Sequence, residues 1–123
     1  MAVMQSRDNR TFIAGEDLSA AKFKFVTLEA DGQVDLADSA GENAIGVCLA
    51  GAAAGAAVTV CVSGSVMVEA GGAITAGDQI QTGADGTALL AATGDVVLGY
   101  AREDGVDGQI IEIEMIQGGN LAA

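Results

Sequence analysis

The sequence predicts an all-β fold, a small β-barrel or β-sandwich, and three observations carry that expectation. Apolar and polar residues alternate at period two along several short stretches, as half-buried strands require. Turn signals break these stretches at short intervals: Asp31-Gly32, Gly71-Gly72, Gly77-Asp78, Asp85-Gly86, Gly94-Asp95 and Gly105. Helical periodicity is hard to find outside one Ala/Gly run. The chain has 123 residues, the size of one domain, and is 50% apolar, which argues against disorder.

The elements follow in order. Residues 1–15 break the alternating pattern: Met1 to Asn9 is polar, Arg7 and Arg10 add charge, and Thr11-Phe12-Ile13 is a short β-prone patch. One reading is a frayed terminus; the other is an extended N-terminal arm that adds a strand to a neighbour's sheet edge. A single β domain is expected over 16–117. Within it Phe23 and Phe25 alternate with Lys22 and Lys24, and Val58, Val60 and Val62 with Thr59, Cys61 and Ser63. Val66 and Val68 alternate with Met67 and Glu69, and Ile111, Ile113 and Met115 with Glu112 and Glu114. The run from Leu49 to Ala57 holds two glycines, each costing a helix about 1 kcal/mol, so a turn between strands fits better than a helix. A short helix across a barrel end is the alternative there. Residues 118–123 are expected to be a flexible tail.

The domain also reads as an internal repeat, 17–69 and 73–117. Ile45-Gly46-Val47 aligns with Leu98-Gly99-Tyr100, and Val58, Val60, Val62 with Ile111, Ile113, Met115. Ala30-Asp31-Gly32 matches Ala84-Asp85-Gly86, and the order of elements holds through both halves. Chance similarity among so many Ala, Gly and Val residues is the competing explanation.

Composition removes most chemistry. There is no histidine, so the commonest general base and metal ligand are missing, and Ser-His-Asp or Cys-His machinery is excluded. Two cysteines cannot build a structural zinc site. Charge is asymmetric: residues 1–24 hold four bases and three acids, whereas Phe25 onward holds fourteen acids and the single base Arg102. An acidic body of this kind repels nucleic acid and anionic membrane. No apolar run approaches bilayer length, and Met1 to Arg7 lacks the charged and then apolar stretches of a signal peptide, so cytosolic synthesis is expected.

The remaining constellations read as structure. Glu112 and Glu114, with Glu69 and Glu103, are expected on a solvated outer face that discourages strand-edge association. Asp31, Asp35, Asp38, Asp104 and Asp107 lack calcium-loop order and suit turns. Cys48 and Cys61 would lie opposite each other if their hairpin centred between Ala54 and Gly55, but free thiols are the default in a reducing cytosol. No phosphate loop is present, because no lysine follows Lys24. The expectation is a non-enzymatic chain with no catalytic residues, no metal and no cofactor.

One ordered set of segments resembles a known family. Glu16-Asp17-Leu18-Ser19-Ala20 precedes Lys24-Phe25-Val26-Thr27-Leu28 and an Asp-Gly turn. Ala44-Ile45-Gly46-Val47-Cys48, an Ala/Gly stretch and Val58-Thr59-Val60-Cys61-Val62-Ser63-Gly64 follow. Ala76-Gly77-Asp78-Gln79-Ile80 and Val97-Leu98-Gly99-Tyr100-Ala101 close the set. From Glu16 to Gln117 this order resembles the tailed-phage capsid decoration (cement, head-stabilising) proteins. The resemblance implies a β-barrel-like fold, usually a homotrimer, that binds the major capsid protein on the outside of the expanded head. It implies a virion location on the capsid exterior and a role in holding the shell against packaged DNA. The charge asymmetry then makes Arg7, Arg10, Thr11, Phe12 and Ile13 the candidate capsid contacts. Two other classes remain: another virion part such as a tail-tube or fibre module, and a biotinyl- or lipoyl-like carrier, which would need Lys22 or Lys24 on an exposed hairpin.

Overall fold

Alternation and turns resolve into nine strands in a computed structural model that describes residues 6–116. They are β1 (Ser6–Ala14), β2 (Phe25–Leu28), β3 (Gln33–Leu36), β4 (Gly46–Cys48) and β5 (Ala57–Glu69), then β6 (Gln79–Thr82), β7 (Ala88–Leu90), β8 (Gly99–Ala101) and β9 (Ile110–Met115). The described residues hold one 3-10 turn, Ala30–Gly32, and no α-helix, so the all-β expectation is met. Of the Ala/Gly run, residues 49–56 form a loop, closed by a bond from the Ala56 amide to the Ala53 carbonyl with Gly55 at φ 82°, and Ala57 opens β5. Glycine carries that left-handed backbone without strain, and a helix has no role there.

Strands β1 to β5 close a five-stranded barrel in the order β1-β3-β2-β4-β5, with β5 returning to β1. All pairs are antiparallel except β1 with β3. The sheet then continues through the second half of β5 to β9, β8, β6 and β7. A parallel bridge between Ala70 and Ala88 brings β7 back to the end of β5. β5 therefore serves both halves: residues 57–64 pair with β1, and residues 65–69 with β9.

The segment expected to extend as an arm is, from Ser6 on, the strand that closes the first barrel. It pairs with β5 from Ser6↔Gly64 to Ile13↔Ala57. Ala14 is buried and Phe12 half-buried against the cluster of Leu18, Val26, Val34, Val58 and Val60. Apolar side chains on a strand must face a core, and here the core is the chain's own. Residues 1–5 and the expected tail 118–123 lie outside the described residues.

A second cluster fills the other half with Val66, Val68, Ile80, Leu98, Ile111 and Ile113. Phe25, Val47 and Cys61 from the first half join it, so this cluster also cements the two halves together.

Register corrects one conditional expectation. β4 pairs with β5 through Val47↔Cys61 and Cys48↔Val60, one residue away from the register that would set Cys48 opposite Cys61. Cross-strand partners share a face, so the one-residue slip sends the two thiols to opposite faces. Cys61 packs in the second cluster and Cys48 in the first, and both are buried and free. Burial pushes both thiols above their usual range. Neither thiol is expected to react with an alkylating reagent in the native protein, and no disulfide should form on air oxidation. Thiol titration before and after denaturation checks this; rapid native labelling would contradict the buried placement.

The pairing pattern of β2 to β5 recurs in β6 to β9. Val26↔Leu36 is matched by Ile80↔Leu90, Val26↔Gly46 by Ile80↔Gly99, and Cys48↔Val60 by Ala101↔Ile113. The β1 pair Phe12↔Val58 is matched by Val68↔Ile111, so the second half of β5 stands where β1 stands in the first barrel.

Candidate functional site

On β1 the closing ladder decides which side chains are free to meet a partner. Arg10, Thr11 and Ile13 are exposed, and Ile13 leaves 42% of its surface open. Phe12 turns inward and supports the strand from the core side. Arg7 lies on β1 by backbone position, and its side chain is outside the described residues. Arg10 bonds Asp8 through Nε and Nη2, both at 3.0 Å. An exposed pair of this kind is worth at most about 1 kcal/mol, so Arg10 can exchange Asp8 for a carboxylate on another molecule. Of the five candidate contacts, three are thus exposed, Arg10 at the rim on the strand face that Phe12 occupies and Thr11 and Ile13 on the other, and one is structural.

The opposite charge gathers at one end of the first barrel. Glu16 Oε2 accepts the Leu36 amide, Glu29 Oε2 accepts the Thr27 hydroxyl at 2.6 Å, and Glu42 Oε2 accepts the amides of Asp38 and Ser39. Beside them a cleft of about 280 Å³ is lined by residues 27–29 and 42–45. Asp35 is different, since its buried Oδ1 has no hydrogen-bond partner among the described residues. Desolvation first, then the charges of Glu16, Glu29 and Asp38, push its carboxyl above the usual range.

A raised native pKa means the folded state takes up a proton more readily than the unfolded one. Ionised Asp35 therefore opposes folding above its native pKa, and the penalty is relieved as pH falls through it. Asp35→Asn is expected to raise the Tm at neutral pH, with the gain shrinking on acidification towards the native pKa. Thermal melts of both chains across that range test it; equal melting at every pH would show that the carboxylate is adequately solvated.

The remaining acids are mostly spent on the backbone. Asp78 accepts the Thr75 amide, Asp95 the Ala92 amide, and Asp85 the Thr87 hydroxyl and amide, as turn aspartates should. Asp104 accepts the Ala76 amide across the second half. No group of three or more acidic or cysteine side chains suited to a metal ion occurs among the described residues.

The β9 acids differ from expectation. Glu112 is only 4% exposed, because Arg102 Nη1 bonds its Oε2 at 2.8 Å and Glu103 accepts its amide. Glu114, on the same face, stays exposed at 3.7 Å from Arg102. Among these acids the fold therefore joins Glu112 to Glu103 and leaves Glu114 in solvent. The signal available in sequence was Arg102 itself, the only base after Lys24. Lys22 and Lys24 precede β2 rather than standing at a hairpin tip, and Lys22 Nζ lies 5.0 Å from the Phe23 ring centroid.

Comparisons with known proteins agree with this fold. No curated protein matches the chain. Among solved structures it is similar to the head fiber gp8.5 N base in bacteriophage phi29, at 22% identity and a TM-score of 0.71, covering 89% of this chain and 93% of that one. At that identity the likeness establishes a shared fold. The family model described as phage cement protein matches residues 4–114, nearly all of the described residues. The chain belongs to the phage cement protein family and is a structural protein of a phage virion.

Proposed function

We propose that the protein binds the outer surface of the expanded phage head, contacts the major capsid protein through the exposed residues of β1, and stabilises the shell against packaged DNA as a homotrimer. The match to the cement family over residues 4–114 carries this reading. Charge supports the orientation: Arg7 and Arg10 lie on β1, whereas the chain from Phe25 onward holds fourteen acids and one base. A protein that binds only the mature lattice stabilises it by mass action and selects it over the precursor. Repetition around a closed shell turns modest single contacts into a large total.

The test mixes purified protein with undecorated expanded heads and with unexpanded precursor heads, then sediments and counts bound copies. Saturable binding to expanded heads alone is expected. Arg10→Glu with Ile13→Asp should weaken it about tenfold or more, the equivalent of about 1.4 kcal/mol, without lowering the Tm. Binding to neither head form refutes the cement role, while unaltered binding by the double variant removes β1 from the contact. A second reading, a base module for a projecting head fiber, is favoured by the likeness to the phi29 N base. It requires a projecting partner on the decorated head, visible by electron microscopy.

A further inference from the structure

The contact between the two halves of the chain is made once internally, and each half carries a counterpart of the other's surface. The turn at 39–42 and the turn at 92–95 are built alike. Glu42 bonds its amide to the Ser39 carbonyl and its carboxylate to the Ser39 amide; Asp95 does the same with Ala92. Gly41 and Gly94 occupy the same place in each turn, at φ 79° and 91°. The first turn is docked: the Gly41 amide donates to the Thr82 carbonyl at 3.0 Å, and the Val96 amide donates to the Gly41 carbonyl at 3.1 Å. A Cβ on Gly41 would run into Asp95, whereas a Cβ on Gly94 would meet no described atom within 4 Å.

The receiving groove is also duplicated. Thr82 pairs with Ala88 as Leu28 pairs with Val34, and Val96 follows Asp95 as Asn43 follows Glu42. Leu28 and Asn43 line the cleft of about 280 Å³ in the first barrel, which no described residue fills. Leu28 is 53% exposed there. A second pair of positions says the same. Val47, paired with Phe25, is fully buried by the second half; Tyr100, paired with Gln79, is 40% exposed.

We propose that the chain is two copies of one five-stranded unit sharing β5, and that protomers join head to tail by repeating the internal contact between copies. The 92–95 turn of one copy enters the cleft at 27–29 and 42–45 of the next. There the Gly94 amide donates to the Leu28 carbonyl, and the Asn43 amide donates to the Gly94 carbonyl. The occupant is a second copy because this chain already displays both surfaces and already joins their twins. A heterologous contact of this kind closes into a ring when its rotation permits. The proposal rests on the homotrimer reading only for the number of copies in that ring.

Charge tunes the contact. The cleft carries Glu29 and Glu42, and the incoming turn carries Asp95, so association opposes like charges and strengthens with salt.

The experiment is sedimentation velocity on the full chain at low and high salt, with two variants. Gly94→Asn keeps a residue tolerant of left-handed backbone but places bulk where only a neighbouring copy would meet it. Leu28→Glu adds charge at an exposed cleft position. Each variant alone should associate at least about tenfold more weakly than the unaltered chain, with unchanged Tm. Their mixture should recover a heterodimer, since one variant retains the cleft and the other the turn. Association of both variants like wild type, or failure of the mixture to pair, overturns the head-to-tail contact and leaves the homotrimer reading standing. A wild-type chain that stays monomeric at every salt and concentration overturns both, while capsid sedimentation still reports independently on the cement role.

Discussion

A chain lacking residues 2–13 is expected not to fold cooperatively. β1 contributes seven residue pairs to β5 and two to β3, and without it the first barrel is an open sheet. The inner residues Leu18, Val26, Val34, Val58 and Val60 lose their cover, and Phe12 is removed from the cluster outright. Burial of one such aromatic contributes about 2 kcal/mol, and each lost ladder bond about 1 kcal/mol. Together these approach the 5–15 kcal/mol that separates a typical domain from its unfolded state. Circular dichroism and a thermal melt decide the matter. If the truncated chain melts within a few degrees of the intact one, β1 is an accessory arm and the barrel closes without it. The same argument makes the truncation a poor probe of capsid binding, for which exposed point variants such as Arg10→Glu are suited.

β1 also marks where the sequence was hard to read. The strands β5 and β9 announce themselves because Val58, Val60 and Val62, or Ile111, Ile113 and Met115, point into a core at every second position. In β1 the inward positions are Arg10, Phe12 and Ala14, of which only the last two touch the core, while Asn9, Thr11 and Ile13 face out. A barrel strand whose first half crosses a polar rim carries too little alternation to be told from a loose terminus. Pairing partners create that strand, and partners far along the chain are invisible to a local pattern. The Φ-Gly-Φ segments at Gly46 and Gly99 were legible for the opposite reason: sequence repetition and strand pairing coincide there. The thiol faces were not legible, because a one-residue choice of register inside the Leu49–Ala56 connection reverses them. Nor was the burial of Glu112, which alternation alone assigns to solvent and which Arg102 pulls in.

Gly46→Ala and Gly99→Ala should each lower stability by about 3 kcal/mol or more, at the upper end of what overpacking costs. The two glycines hold corresponding positions, Gly46 opposite Val26 and Gly99 opposite Ile80. A Cβ at Gly46 would overlap the Cys61 carbonyl oxygen, and one at Gly99 the Glu114 carbonyl oxygen. Both obstacles are backbone, so no rotamer change relieves them; β4 must part from β5, or β8 from β9, and the cores beneath must open. For a domain of this size that is on the order of a 10 °C fall in Tm. Gly55→Ala provides the contrast, since its Cβ would meet open space and only the left-handed φ of 82° is penalised. That penalty is about 1–2 kcal/mol. Melts of the three variants should rank Gly55→Ala well above the other two. If Gly46→Ala melts with Gly55→Ala, the strand can shift to admit a methyl group, and the close approach of β4 to β5 is not what holds the barrel shut. If the two strand variants instead fall together, one packing rule governs both halves, as a shared five-stranded unit requires.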